Sequence, residues 1–234
     1  MLADLTWPEA GARATVGAIL AVPVGATEQH GPHLPLSTDT DLAAALCARL
    51  AAARSDVLVG PAIAYGASGE HAGFPGTLSI GQAALELLVV ELCRSATDTF
   101  DRILLVNWHG GNIEPLRRAK DLLRAESRDV RLHLPRFDGD PHAGRSETAL
   151  QLALAPERVR GDRAVAGDTR PLAELLPLLR AGGVRAVSPN GVLGDPAGAT
   201  AAEGAALLDH LSADLLDRTR LWWPERNSPE RTGI

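Results

Sequence analysis

The sequence predicts a three-layer α/β sandwich, a mostly parallel central sheet flanked by helices on both faces. Two observations carry this. Short apolar runs that read as buried strands, at 16–24, 57–59, 103–106 and 130–134, alternate with longer stretches of helical apolar period. The runs at 16–24 and 103–106 also end in polar, glycine-containing strings, and open α/β sheets keep their sites at strand ends. With 234 residues and 45% hydrophobic content the chain can bury a substantial core, and residues 1–226 are expected to form one domain.

The elements follow in order. Residues 16–24 are almost continuously apolar, as a strand covered on both faces must be. Thr38 is the expected N-cap of the helix 40–53, which puts Asp39 at a helix start. Beyond strand 57–59, the segment from Tyr65 to Thr77 is long, rich in glycine and contains Glu70 and His71, a composition that suits a binding loop. Helix 82–99, strand 103–106, helix 113–126 and strand 130–134 continue the alternation, and helices 148–154, 172–181 and 200–220 complete it. Residues 160–169 and 188–199 are loop-rich, the second with Pro-Asn-Gly and Gly-Asp-Pro turn signals. Residues 227–234 are polar and expected to fray. Trp222 and Trp223 are expected to pack or to meet a neighbouring subunit, and His133 and His210 to be structural or surface residues.

Chemistry concentrates in three strings. Pro-Val-Gly-Ala-Thr-Glu28-Gln-His30-Gly-Pro-His33-Leu-Pro-Leu-Ser-Thr-Asp39 places two carboxylates and an imidazole within twelve residues, directly after a strand. In an extended segment Glu28 and His30 share a face, and these donors suit zinc, manganese or iron. Asn107-Trp108-His109-Gly110-Gly111-Asn112 ends the third strand and supplies another imidazole. Asp140-Pro-His142-Ala-Gly-Arg-Ser146-Glu147-Thr148 carries a histidine and a carboxylate into a helix start. Each has a plain alternative: a solvated turn with His33 as loop polarity, a structural histidine, or a first-turn carboxylate favoured by the helix dipole. The glycine-rich loop matches neither Gly-x-Gly-x-x-Gly nor a P-loop.

Together these strings resemble the creatininase family of metal-dependent amidohydrolases, over about residues 16–154. Its specific marks are Glu-x-His, the Asp eleven residues after the Glu, and Asn-x-His-Gly-Gly-Asn. Thr169-Arg-Pro-Leu-Ala-Glu-Leu-Leu-Pro177 and Ala186-Val-Ser-Pro-Asn-Gly-Val-Leu-Gly-Asp-Pro196 resemble the branch of that family found in mycofactocin biosynthesis, peptidases acting on a modified ribosomal precursor peptide. The resemblance implies two divalent ions per chain, zinc first with iron or manganese as alternatives. It implies Glu28, His30, Asp39 and His109 as metal ligands, with Asp39 bridging. Creatininase takes a further ligand from a Glu two residues after its matching His. Gly111 stands there in this chain, and Glu147 is the candidate replacement. Trp108 replaces the glycine that most relatives place before that His. Relatives are commonly homo-oligomers, hexamers among them.

The activity so implied is metal-assisted hydrolysis of an amide bond that releases a short C-terminal fragment. His142 is first in line to protonate the leaving nitrogen, with Glu147 or His71 behind it. No Gly-x-Ser-x-Gly elbow is present for a covalent route. Two other readings share the pattern: a small-molecule cyclic amidohydrolase for a creatinine-like lactam or a formamide, and a metal-binding scaffold without catalysis.

Net charge of −6 and a pI near 5.6 argue against nucleic acid or a membrane surface as partner. Cys47 and Cys93 fall inside helical patterns as buried thiols, consistent with a reducing compartment. No apolar stretch reaches transmembrane length and Met1–Ala10 lacks a signal pattern, so the cytoplasm is the expected location.

Overall fold

β1 (Ile19–Val24) is buried along its whole length and is one of the two central strands of the sheet. The computed structural model describes residues 1–136 and 138–225, so the expected fraying of 227–234 lies outside the described residues. β2 (Val57–Val59) pairs with one side of β1 and β3 (Arg102–Asn107) with the other, and β4 (Asp129–His133) adds to β3. Every pairing is parallel and the order is β2-β1-β3-β4.

Alternation along the strands builds two cores. Leu20, Val22, Ile103 and Leu105 face Leu85 and Val89 of α3 (Gly81–Ala96) and Leu116 and Leu123 of α4 (Ile113–Ala125). Ile19, Ala21, Leu104 and Val106 face Leu42 and Leu46 of α2 (Thr38–Ala53), Leu150 of α5 (Arg145–Leu154) and Leu211 of α7 (Ala201–Trp222). These are the three layers the sequence predicts. Truncating a fully buried leucine such as Leu104 to alanine would cost about 2–5 kcal/mol. α5 lies so close along α7 that a Cβ at Gly204 would overlap the Ala149 carbonyl.

The crossovers after β1 and β3 leave to opposite faces of the sheet, α2 on one and α4 on the other. A crevice therefore opens beyond the carboxyl ends of these neighbouring strands, where Val24 stands beside Asn107. Both metal-type strings leave the sheet there.

The structure corrects several boundaries. α1 (Trp7–Thr15) was not expected. Its start is a capping box in which the Thr6 backbone N–H donates to Glu9 Oε2 at 2.6 Å, with Pro8 in the first turn. The sheet begins at Ile19, since Val16 is exposed. α2 begins a residue earlier than Thr38 capping requires: Ser37 is the N-cap, and the Thr38 hydroxyl donates back to the Pro35 carbonyl at 2.7 Å. α6 (Leu172–Val187) runs beyond residue 181 and breaks at Gly183, which has φ +69°. Trp223 is buried, and its Nε1 donates to Asp129 Oδ2 at 2.6 Å. The buried Arg54 guanidinium pairs with Asp56 and donates to the Trp223 carbonyl, fastening the end of α7 to the sheet.

Candidate metal centre

Two asparagines tie together the loops that border the crevice. Asn107 Nδ2 donates to the His109 carbonyl at 2.8 Å, while Asn112 Nδ2 donates to the Gly25 carbonyl at 2.9 Å and Oδ1 accepts from Ala67 N–H. The Asn-x-His-x-x-Asn spacing thus ties the loop after β3 to the loop after β1, a role the sequence reading did not assign. Glu28 and His30 are fully buried just past β1, and Asp39 is buried in the first turn of α2. His109 follows β3. His142 and Glu147 arrive from the other side with the start of α5. Ala143 between them holds positive φ (53°), a conformation a non-glycine residue adopts only when its surroundings impose it. Its N–H donates to Glu147 Oε2 at 2.7 Å.

The predicted residues converge. His30 Nε2 is 3.2 Å from Asp39 Oδ1 and 3.9 Å from Glu147 Oε2. His109 Nδ1 is 3.2 Å from Asp39 Oδ2, and its Nε2 is 3.2 Å from Glu28 Oε2. His30 Nδ1 donates to the Glu28 carbonyl at 3.2 Å, which turns Nε2 toward the carboxylates. Two groups with metal-ligand spacing share Asp39: Glu28–Asp39–His109 and His30–Asp39–Glu147. A third, Glu28–His30–His142, overlaps them.

The electrostatics mark a place for a cation. Among the described residues no Lys or Arg pairs with Glu28, Asp39 or Glu147, so three buried carboxylates are offset only by imidazoles. Burial pushes the Glu28 and Glu147 carboxyls upward in pKa. Burial opposes the charge of His30, but Asp39 above all, then Glu147 and Glu28, outweigh it and push its pKa up to about 10. Burial also opposes charge on Asp39, yet His30 and His109 hold its carboxyl well below the usual range. Both oxygens of Glu28 and Oδ2 of Asp39 are buried with only histidine nitrogens near them, at 3.2 Å and out of line for a well-formed hydrogen bond. Such orphaned anionic atoms, aimed at one spot, fit a divalent ion.

His71 joins no such group. Its Nε2 lies 3.2 Å from Glu28 Oε1. Glu70 is half-buried, with Oε1 3.5 Å from His109 Nε2. A side chain at position 111 would collide with the Ala67 carbonyl and with Glu70, so only glycine fits there. His33 corrects the loop-polarity reading: it is buried, with Nε2 2.9 Å from the Thr148 hydroxyl in α5. A cavity of about 650 Å³ opens on Glu28, His71, His109 and His142. Its outer wall is the apolar face of α6, with Leu172, Leu176 and Leu179, and Arg180 is the one Lys or Arg among the described lining residues.

The family model for creatininase, creatinine amidohydrolase, matches residues 3–218. A mycofactocin precursor peptide peptidase of Mycolicibacterium smegmatis is 53% identical over 217 residues, covering 89% of this chain and 87% of that protein. A creatinine amidohydrolase of Pseudomonas putida is 35% identical over 194 residues, covering 69% and 74%. A solved manganese form of creatininase superposes with a TM-score of 0.80 at 29% identity, covering 96% of this chain and 98% of that one. Fold and site together define a hydrolase of C–N bonds with buried groups able to bind metal. The chain belongs to the creatininase family.

Proposed function

We propose that this chain is a two-metal peptidase that cleaves an amide bond in a modified ribosomal precursor peptide of mycofactocin biosynthesis and releases a short C-terminal fragment. The observation that carries the chemistry is Asp39, shared by two buried ligand groups. Glu28, Asp39 and His109 would hold one ion, and His30, Asp39 and Glu147 the other, zinc first and manganese or iron as alternatives. Bound there, the ions would supply a water acidified to near neutrality and a Lewis acid for the amide carbonyl.

The protein's own residues do the rest. Hydrolysis adds one water across the C–N bond, so a proton must travel from that water to the leaving nitrogen. His142 lines the cavity beside the cluster and is the residue to carry it. Glu147 has both oxygens engaged, by Trp108 Nε1 and by Ala143 N–H, which suits a ligand better than an acid. His71 faces Glu28 and is better suited to orienting that carboxylate.

For the substrate, the curated relatives named as precursor peptide peptidases are 48–53% identical over most of the chain, against 35% for the creatinine amidohydrolase. The cavity supports a peptide: an apolar wall for side chains, and Arg180 as a seat for a terminal carboxylate. Residues 1–226 act as one unit on this reading. Exposed Leu87, Leu88 and Leu92 on α3 favour assembly into a homo-oligomer, with a hexamer as the expected form. The free, buried Cys47 and Cys93 suit the reducing cytoplasm, and no described helix is long and apolar enough to cross a membrane. Mass spectrometry of the metal-loaded protein with the modified precursor peptide is the test. Appearance of the C-terminal fragment is expected, and efficient creatinine opening with an untouched peptide would refute it.

A further inference from the structure

Gln29 sits between Glu28 and His30 and is buried, although it belongs to none of the ligand groups. Its side-chain amide is oriented by two backbone groups of opposite kind. Oε1 accepts from Gly31 N–H at 2.9 Å, and Nε2 donates to the Gly191 carbonyl at 3.0 Å. An N–H cannot accept and a carbonyl cannot donate, so only one orientation of the amide satisfies both. Nε2 then faces two histidines, His71 Nδ1 at 2.8 Å and His142 Nε2 at 3.0 Å.

The amide nitrogen has two hydrogens and accepts none. One goes to Gly191 and the other to His71 Nδ1, the shorter contact. His142 Nε2 has a partner of its own, the Gln29 backbone carbonyl at 2.8 Å, which only accepts. The ring proton of neutral His142 is therefore on Nε2. Because His71 Nδ1 accepts, the proton of neutral His71 is also on Nε2, beside Glu28 Oε1. No other assignment avoids two lone pairs facing each other.

We infer that Gln29 is a positioning residue that fixes His71 and His142 in their Nε2–H tautomers and leaves Nδ1 of His142 as the open base nitrogen. That nitrogen is 3.9 Å from Glu28 Oε1, on a ring whose centroid is 4.3 Å from that of His30. It takes a proton from the attacking water and passes it to the leaving nitrogen, while Nε2 stays anchored on the Gln29 backbone. One residue thus sets both the anchor and the free end of the relay. The inference rests on the amidohydrolase reading of the same site.

The test is the position of the ring protons, read by nitrogen-15 NMR of histidine-labelled, zinc-loaded protein. Both histidines are expected as Nε2–H in the native protein. Gln29→Met removes the donor and should mix the His71 tautomers, while Gln29→Glu, able only to accept, should move the His71 proton to Nδ1. Both should keep native metal content and lose about 10–100-fold in kcat on the precursor peptide, with KM changed much less. Thermal melting checks the fold, and if Gln29→Met does not fold, Gln29→Glu carries the test. A native His142 protonated on Nδ1, or variants with native tautomers and native kcat, would overturn the assignment. If the native protein cleaves no amide at all, the amidohydrolase reading fails while the tautomer spectra still report on Gln29.

Discussion

The indole Nε1 of Trp108 donates to Glu147 Oε1 at 3.0 Å. The family resemblance leads one to expect glycine at Trp108, and Glu147 is the carboxylate proposed to supply a ligand in place of Gly111. The bond ties the loop after β3 to the start of α5 at one of the proposed ligands. Trp108→Phe keeps the ring and removes the donor. It should weaken the second ion by about tenfold while the fold survives. Competitive metal titration of the variant measures this, and unchanged affinity would mean that the bond has no part in ligation.

Glu147 itself separates ligation from helix capping. Glu147→Gln should drain the His30–Asp39–Glu147 site and leave the other partly filled, whereas Asp39→Ala should drain both. If Glu147 served only as a first-turn carboxylate, the change would shift stability by up to about 1 kcal/mol and leave metal content alone. Elemental analysis of the two variants decides.

Metal uptake should be proton-linked. In the metal-free protein the His30 pKa is raised to about 10, against an ordinary value near 6.5. Its charge therefore stabilises the metal-free fold fully below about pH 6.5, and that contribution is lost as pH rises through about 10. A metal must displace this proton and that of His109, whose pKa is also raised: burial opposes its charge, but Glu28 and Asp39 outweigh it. Apparent affinity should climb with pH between about 6 and 9, roughly tenfold per unit for each proton displaced. Calorimetry in buffers of different ionisation enthalpy counts the protons, and pH-independent binding without proton release would contradict the cluster's electrostatics.

Arg180 offers a test of substrate polarity. Arg180→Ala should raise KM for a precursor peptide with a free C-terminus by about 10-fold and leave kcat nearly unchanged. The same peptide with an amidated C-terminus should bind both proteins equally. An equal KM change for both peptides would show that Arg180 does not read the carboxylate.

Much of this architecture is legible in the chain because it depends on local periodicity. β1 is apolar at every position, α2 to α5 keep a helical period, and Glu28, His30, Asp39 and His109 lie at strand ends or helix starts. α1 was readable too, in Thr6-Trp-Pro-Glu9, but its exposed, weakly apolar residues gave no core signal. Other features depend on contacts across long sequence separations, and spacing cannot reveal them. Gln29 meets His142 and Gly191, Trp108 meets Glu147, and His33 meets Thr148, each pairing set by how the loops fold over the crevice.

The seating of α5 against Gly204 has a consequence for biogenesis. Glu28, His30 and Asp39 leave the ribosome early, but the helix that brings Glu147 to them rests on α7, which is synthesised much later. Domains fold as units during synthesis. An emerging chain would therefore present acidic and imidazole donors before the geometry that disciplines them exists. In that interval the affinity order of the ions, not the shape of a finished site, would govern what they capture. Choice of the correct ion is thus a task for the completed chain, and expression in a medium rich in a competing metal would leave its record in the purified protein.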